Sequence, residues 1–493
     1  MNSFKLEINH IKNINSAVLE FPMKSGIYCL TGSNGCGKST VMLCLAQHVF
    51  TSSLGILGQG DYASSFVKAE YDGKITTWKF SASYGKWRYD GGEPVHFNGM
   101  YEGSLFYGTR FSDSLVIDKM VQNREISPAS IVDADQYVKD KLSFILHGDS
   151  QHYTSLKRIK NRKTAELLGL KNMPYFQELN GSLVSQYRMS SGECMLISLL
   201  HFIYNALVRR SLPVDQPILM VVDEIELALH PLAASRLIDL INEILADHQN
   251  LTVYLSSHSP EVVCKIKPEN LFMMEALSDG KIRMINPCYP HYAIRTVYTH
   301  SGFDDVILVE DTLAKYIVEE VITKLGLHKS RLIHVLPSGG WENVLNLHKQ
   351  VITNNSFGIG TKVFSVLDGD VQTDAVKVHK SLAKLFLPIS SVEKYLYTIA
   401  ACKNDEQYAS IKQEINDTFF NVKSLDEIFE EYHREIQPAS DKSGKKLYSR
   451  LIDDLKVREI SEEYFIKGLC RIVMKYINFQ KFEESLSRKL TEE

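Results

Sequence analysis

At 493 residues the chain is too long for one ordinary core, so two or three domains are expected. Hydrophobic residues make up 44% and charged residues 23%, the composition of a soluble globular protein, and no apolar run reads as long enough to cross a bilayer. A net charge of -4 excludes a protein that coats nucleic acid by charge alone, though not one with a local basic groove.

The opening MNSFKLEINH lacks the apolar core of a signal peptide. Eight cysteines (Cys29, Cys36, Cys44, Cys194, Cys264, Cys288, Cys402, Cys470) are scattered with no CxxC pair. Cys36 and Cys194 lie inside apparent nucleotide motifs, where a disulfide would be disruptive, so reduced thiols and a cytoplasmic location with no membrane partner are expected.

In chain order, the first 30 residues alternate apolar and polar and end in Ile27-Tyr28-Cys29-Leu30, which predicts two edge strands and then a central one. A helix is expected over 39–50, then two or three strands over 66–97 split by Asp-Gly and Gly-Lys turns. From 112 to 185 the pattern reads as helical and polar, interrupted at Pro128 and Pro174. A helix from Ser191, a strand at 217–222, a helix at 231–247 and a strand at 251–256 complete an α/β unit. After residue 300 the pattern restarts: strand 306–309, helix 312–325, strand 332–336, helix 341–353, strand 362–367, helix 374–385. That order implies a second, smaller parallel sheet. Residues 401–493 have helical spacing and carry no evident chemistry. The expected domains are therefore 1–300, with a β lobe near 60–100 and a helical insertion near 112–185, then 301–400 and 401–493.

Gly32-Ser33-Asn34-Gly35-Cys36-Gly37-Lys38-Ser39 matches the phosphate-binding loop between a strand and a helix. Its backbone N–H groups, from Asn34 to Thr40, would cradle the phosphates. Lys38 would reach the β/γ oxygens and Ser39 would ligate Mg2+. Leu219-Met220-Val221-Val222 ends in Asp223, suited to the Mg2+ shell, and Glu224, suited to polarising the attacking water. Met189-Ser190-Ser191-Gly192-Glu193 opens a helix and resembles the ABC signature, in which Ser191, Gly192 and Glu193 would meet the γ-phosphate of a partner subunit. His258, just past a strand, resembles the switch histidine that senses that phosphate. The four motifs follow the order of ABC ATPases, with Glu226-Leu227-Ala228-Leu229-His230-Pro231 where the D-loop belongs. At least a homodimer is implied.

The later segment sets acids at strand ends: Glu310 after Val306–Val309, Asp368 and Asp370 after Val363–Leu367, and Glu393 followed by Lys394 and Tyr395. In a parallel sheet such carboxylates converge on one crevice, and clustered carboxylates repel unless divalent cations neutralise them. Two Mg2+ or Mn2+ ions could there serve phosphodiester cleavage.

An acid after the first strand, the Gly339-Gly340 turn after the second and a D-x-D after the third resemble a Toprim domain. An ABC ATPase joined to Toprim resembles the OLD (overcoming lysogenization defect) family of ATP-dependent endonucleases, over residues 1 to about 400. That resemblance implies a regulatory ATPase dimer or higher oligomer using ATP and Mg2+. It also implies a metal-dependent cut in DNA by Glu310, Asp368, Asp370 and Glu393, with Lys394 at the scissile phosphate. Some members are anti-phage effectors, and a retron reverse transcriptase with its nucleic acid is among the partners so implied. The chain departs from the family where Glu-Gly is usual: it has Glu310-Asp311, with Ala314 at a later acidic position, so Asp311 is the candidate substitute ligand. A non-catalytic ATPase regulator with a degenerate docking module is the alternative. A transporter motor would leave 301–493 unexplained.

Overall fold

The computed structural model describes residues 3–57, 64–103, 111–179, 181–209, 216–295, 297–298, 302–358, 360–402, 405–435 and 444–491. The chain divides into two compact units, Met1–Ser301 and Gly302–Glu493.

The first unit is built on a six-stranded sheet in the order Ile282–Ile285, Leu271–Ala276, Gly26–Gly32, Leu251–Ser256, Ile218–Val222, Asn98–Glu102. All neighbours are parallel except the Ile282–Ile285 edge. Because successive strand residues face opposite sides, each central strand feeds two cores. Ile27, Met220, Val222, Val253 and Leu255 pack under the helices Gln136–His147, Ser191–Ile203 and Pro231–Asp247. Tyr28, Leu30, Leu219, Val221 and Tyr254 pack on the other face, against the helix Lys38–Ala46 and a separate antiparallel sheet. That second sheet runs Ile14–Pro22, Ser3–Ile11, Phe66–Tyr71, Lys74–Ser81, Lys86–Gly92. The strand Ser3–Ile11, expected at an edge, is therefore internal, paired on both sides.

The segment 112–185 is not purely helical. Besides three helices it forms a four-stranded antiparallel sheet from Ile131–Asp133, Leu156–Ile159, Tyr175–Leu179 and Ser182–Ser185. These strands span only three to five residues and carry Lys157, Arg158, Gln177 and Glu178, too few apolar positions for an alternation to register. The helix Ser191–Ile203 continues as a wider turn through Arg209, and Ser191–Arg209 is, among the described residues, one stretch long and apolar enough to cross a bilayer. Leu196, Leu199, Leu200 and Ile203 spend that apolarity on the core.

The second unit carries four parallel strands in the order Ile333–Pro337, Asp305–Val309, Lys362–Leu367, Lys384–Phe386. The helix expected over 374–385 is confined to Gln372–Ala375, and Lys384–Phe386 instead adds the last strand. The helix Thr312–Lys324 lies on one face and Trp341–Thr353 on the other. The chain thus leaves the two middle strands in opposite directions, which opens a crevice beyond their carboxyl ends. Helices from Glu406–Phe419 to Gln480–Thr491 share the first of these cores, through Ile411, Leu451, Leu469 and Leu486 against Ile307 and Phe364. All eight cysteines are free thiols.

A buried ion pair fastens the end of this unit to its first strand. Arg331 Nη1 donates to Asp305 Oδ2 at 3.2 Å and to the Leu490 carbonyl at 2.6 Å, with both charged side chains almost fully buried. Removing one partner strands the other charge out of water, at a cost of about 3–5 kcal/mol. Arg331→Met is expected to lower the unfolding midpoint of this unit in a thermal melt; an unchanged midpoint would show the pair to be dispensable.

Candidate functional site

The first site lies at the carboxyl ends of the large sheet. Gly32 closes its strand at φ +144°, where a Cβ would sit 2.3 Å from the Met274 carbonyl of the neighbouring strand, so no other residue fits. The loop then delivers Lys38 and Ser39 to the first turn of the helix Lys38–Ala46. Lys38 is buried, and its ammonium donates to the carbonyls of Gly32 (3.0 Å) and Ser33 (3.1 Å), curled against its own loop. A cavity of about 750 Å3 is lined by Asn34, Gly35, Lys38, Ser39, Thr40 and, opposite them, Glu224, Glu226 and His258.

Asp223 is buried at the end of its strand and accepts the Ser256 hydroxyl at 2.6 Å. Burial pushes its carboxyl up to about 6 and Glu224 adds to this, while bonds from Ser256 and Ser39 and the charge of Lys38 oppose it. The Ser39–Asp223 contact brings together the two side chains expected to ligate Mg2+. Glu224 adopts a left-handed conformation, φ +54°, rare for a residue with a side chain and frequent at functional sites. The Glu224 N–H donates to Ser256 Oγ at 2.8 Å, so one serine fixes both acids.

His258 donates its backbone N–H to Glu226 Oε1 at 2.7 Å. Its Nδ1 and Glu226 Oε2 are buried with no hydrogen-bond partner among the described residues. Burial, then Lys38, pull the imidazole down to about 4, so it is neutral near pH 7 and presents a hydrogen-bonding edge. Sequence reading missed Ser256 and Glu226 in these roles. The acid two residues after Glu224 and the serine two before His258 were their only traces.

The signature segment opens the helix at Ser191, as expected. Ser190 is the cap of the helix Ser191–Ile203 and forms a capping box with Glu193. The Glu193 carboxylate accepts from the Ser190 N–H (2.8 Å) and the Tyr153 hydroxyl (2.7 Å), so it orders this helix end. Gly192 admits the backbone of the D-loop, since a Cβ there would meet the Ala228 carbonyl at 2.5 Å. Ser191, Gly192 and Glu193 do not line the cavity of the phosphate loop in the same chain.

In the second unit Glu310 closes the strand Asp305–Val309. Its two carboxylate oxygens accept the backbone N–H groups of Asp368 (2.9 Å) and Trp341 (3.1 Å). Glu310 therefore points at the Asp368–Asp370 turn. Asp368 is buried, and its carboxyl is pushed up to about 8, first by burial and then by Glu310, Asp311, Asp370 and Glu393. Burial, Asp311 and Asp370 also raise Glu310. Five carboxylates drawn from three separate stretches of chain thus act on one another. Asp311 is partly spent: its Oδ1 caps the helix Thr312–Lys324, accepting from Leu313 (2.9 Å) and Ala314 (2.8 Å). Lys394 is ion-paired with Asp370. Glu393 lies beside Lys394 in the first turn of the helix Val392–Ala401.

Hard carboxylate oxygens in this number suit Mg2+ or Mn2+, and the repulsion recorded at Asp368 is what a divalent cation relieves. Among the described residues no three His, Cys, Asp or Glu side chains form a ready ligand set. Mg2+ is commonly held by one or two carboxylates, with water and substrate phosphates completing its shell, so it requires no such cage.

The sign of the Asp368 shift yields a test independent of catalysis. A carboxyl with its folded pKa raised takes up a proton on folding, so its contribution to stability falls as pH rises from about 4 to about 8. Asp368→Asn is expected to be more stable than the parent at pH 8, with the gap closing toward pH 5, and to lose any stabilisation by Mg2+. Melting curves across that range measure it; a gap that stays constant with pH would contradict the clustering.

Two family profiles match parts of the chain. Residues 121–263 match an AAA domain described with a proposed AbiEii toxin, Type IV TA system assignment, and residues 5–172 match a second AAA domain family. No curated protein matches the chain. Solved structures similar to it include an SMC head domain from Thermotoga maritima, 16% identical with a TM-score of 0.30, covering 58% of this chain and 99% of that one. An SmcHead bound to the C-winged helix domain of ScpA is 15% identical with a TM-score of 0.36, covering 57% and 97%. An Smc head with an extended coiled coil bound to the C-terminal domain of ScpA, derived from Pyrococcus furiosus, is 12% identical with a TM-score of 0.35, covering 58% and 97%. The AAA matches, together with the phosphate loop and the Asp223–Ser39 pair, make the N-terminal unit an AAA-type P-loop ATPase domain.

Proposed function

We propose that this chain is an ATP-dependent, divalent-metal-dependent nuclease of the OLD type, its C-terminal unit a Toprim-like domain that cleaves DNA in anti-phage defence. The reading rests on one observation, the carboxylate of Glu310 held at the Asp368 turn within a five-acid cluster. Glu310, Asp368 and Asp370, with Glu393 beside them, would hold the metal. A bound Mg2+ or Mn2+ supplies a Lewis acid and activates water for phosphodiester cleavage. Lys394, tied to Asp370, stands where it can meet the charge of a scissile phosphate. The matched AAA family is described with an AbiEii toxin of a Type IV TA system, a setting that suits an effector enzyme.

In the ATPase unit, Asp223 and Ser39 would hold Mg2+, Glu224 would polarise the attacking water, and the neutral His258 would bond the γ-phosphate. The signature lies outside its own chain's phosphate cavity, which supports completion of each site by a second copy. A homodimer is the smallest such assembly. The second reading is an ATPase regulator with a non-catalytic acidic module. It is favoured by Asp311 serving as a helix cap and by Asp370 being neutralised by Lys394.

Incubation with plasmid and Mg2+ or Mn2+, with and without ATP, separates the two. Asp368→Ala is expected to lower cleavage at least 100-fold (a loss of about 3 kcal/mol in transition-state stabilisation) while ATP binding is kept. A parent protein that never cuts would leave the regulator reading. Glu224→Gln is expected to bind ATP, to stop hydrolysing it and to accumulate as a dimer on size-exclusion chromatography; a monomer with ATP bound would count against completion in trans.

A further inference from the structure

A second cavity, of about 350 Å3, opens in the ATPase unit away from the phosphate loop. Phe50, Tyr101 and Tyr187 line it together with Glu102, His201 and the cation of Arg162. Phe50 is 42% exposed, so one of these rings reaches solvent. His201 already bonds the Tyr175 hydroxyl at 2.9 Å and, being well buried, stays neutral. Arg162 bonds Glu166 and the Lys171 carbonyl (2.6 Å), yet its side chain is 62% exposed.

Arg162 belongs to the most basic stretch of an acidic chain. Between 157 and 171 stand Lys157, Arg158, Lys160, Arg162, Lys163 and Lys171 against the single acid Glu166. Lys157 and Arg158 are paired with Glu178 and Asp135, whereas Lys160 and Lys163 are exposed. Three aromatic rings, polar side chains and one exposed guanidinium around a single cavity together match one class of ligand. A volume near the lower end of small-ligand sites matches its size.

We propose that this cavity is a second nucleotide site, taking one nucleotide with its base among Phe50, Tyr101 and Tyr187 and its phosphate toward Arg162. The nucleotide is either free or the end of a single strand. Its floor is the strand Asn98–Glu102, which pairs in parallel with the strand leading to Asp223, and the Asp223 N–H donates to the Glu102 carbonyl at 2.9 Å. Occupancy is therefore one hydrogen bond from the ATPase acids and tunes hydrolysis.

The test uses the full-length protein without divalent metal, in a Lys38→Ala background that disables the phosphate loop. The probes are the four nucleoside monophosphates, by calorimetry, and a 5′-phosphorylated single-stranded DNA decamer, by fluorescence anisotropy. Saturable binding of at least one probe is expected, weakened at least tenfold by Arg162→Ala, an exposed change that spares the fold, and by Ser198→Trp, which fills the cavity. Binding of monophosphates assigns a free nucleotide; binding of the decamer alone assigns a strand end. No saturable binding in the Lys38→Ala protein, or affinities that ignore both further substitutions, would overturn the site. In the protein with Lys38 intact and Mg2+ present, saturating probe is expected to change the ATPase rate at least twofold, and a flat rate would remove the coupling.

Discussion

Both acidic clusters depend on carrying several carboxylates out of water to the carboxyl ends of parallel strands and keeping them there. A parallel sheet aims every strand end at the same edge, so acids distant in sequence meet without any long-range design of loops. The cost is electrostatic, since each added carboxylate destabilises the ionised form of the others. Asp223 and Asp368, raised first by burial and then by neighbouring acids, are held at about 6 and about 8. The two differ in what relieves this shift. At Asp223 two serine hydroxyls and Lys38 stabilise the anion, whereas at Asp368 each charged neighbour that shifts it is another acid.

The hydrogen bonds that hold these acids come largely from backbone amides and small hydroxyls. Ser256 secures Asp223 and Glu224 at once, and Glu226 secures the backbone of His258. A change in the strand Leu251–Ser256 would thus move Asp223 and Glu224 together. The D-loop is similarly joined to the signature helix, because only glycine at 192 lets the Ala228 carbonyl approach. Movements of the segment around Ala228 and of the start of the helix Ser191–Ile203 are therefore mechanically linked.

How far the sequence revealed this depended on how local each signal was. The helices Pro231–Asp247 and Trp341–Thr353 and the strands Leu251–Ser256 and Lys362–Leu367 were legible to the residue, since proline at a helix start and unbroken apolar runs act over a few positions. The short polar strands Leu156–Ile159 and Tyr175–Leu179 were not, because cross-strand pairing rather than periodicity makes them strands. The phosphate loop and the strand-end acids could be named in advance. That Glu193 would bond Ser190 and Tyr153, and Asp311 its own helix, could not, because hydrogen-bond partners are a property of packing.

Glu310 shows why structure and chemistry resist separation here. Its two oxygens accept amides from the start of the helix Trp341–Thr353 and from the turn after Lys362–Leu367, so it ties three stretches of the small domain together. An acid held this way has little freedom to turn toward a cation, though the second lone pair on each oxygen remains available to one. Its geometry is set before any ligand arrives, which favours a positional over an adaptive role. Replacing it would leave two buried amides unsatisfied and loosen the crevice, so lost activity in such a variant would not distinguish a ligand from a brace. Among the described residues the Asp368 carboxylate has no such bracing bond, and burial first, then its acidic neighbours, set its state.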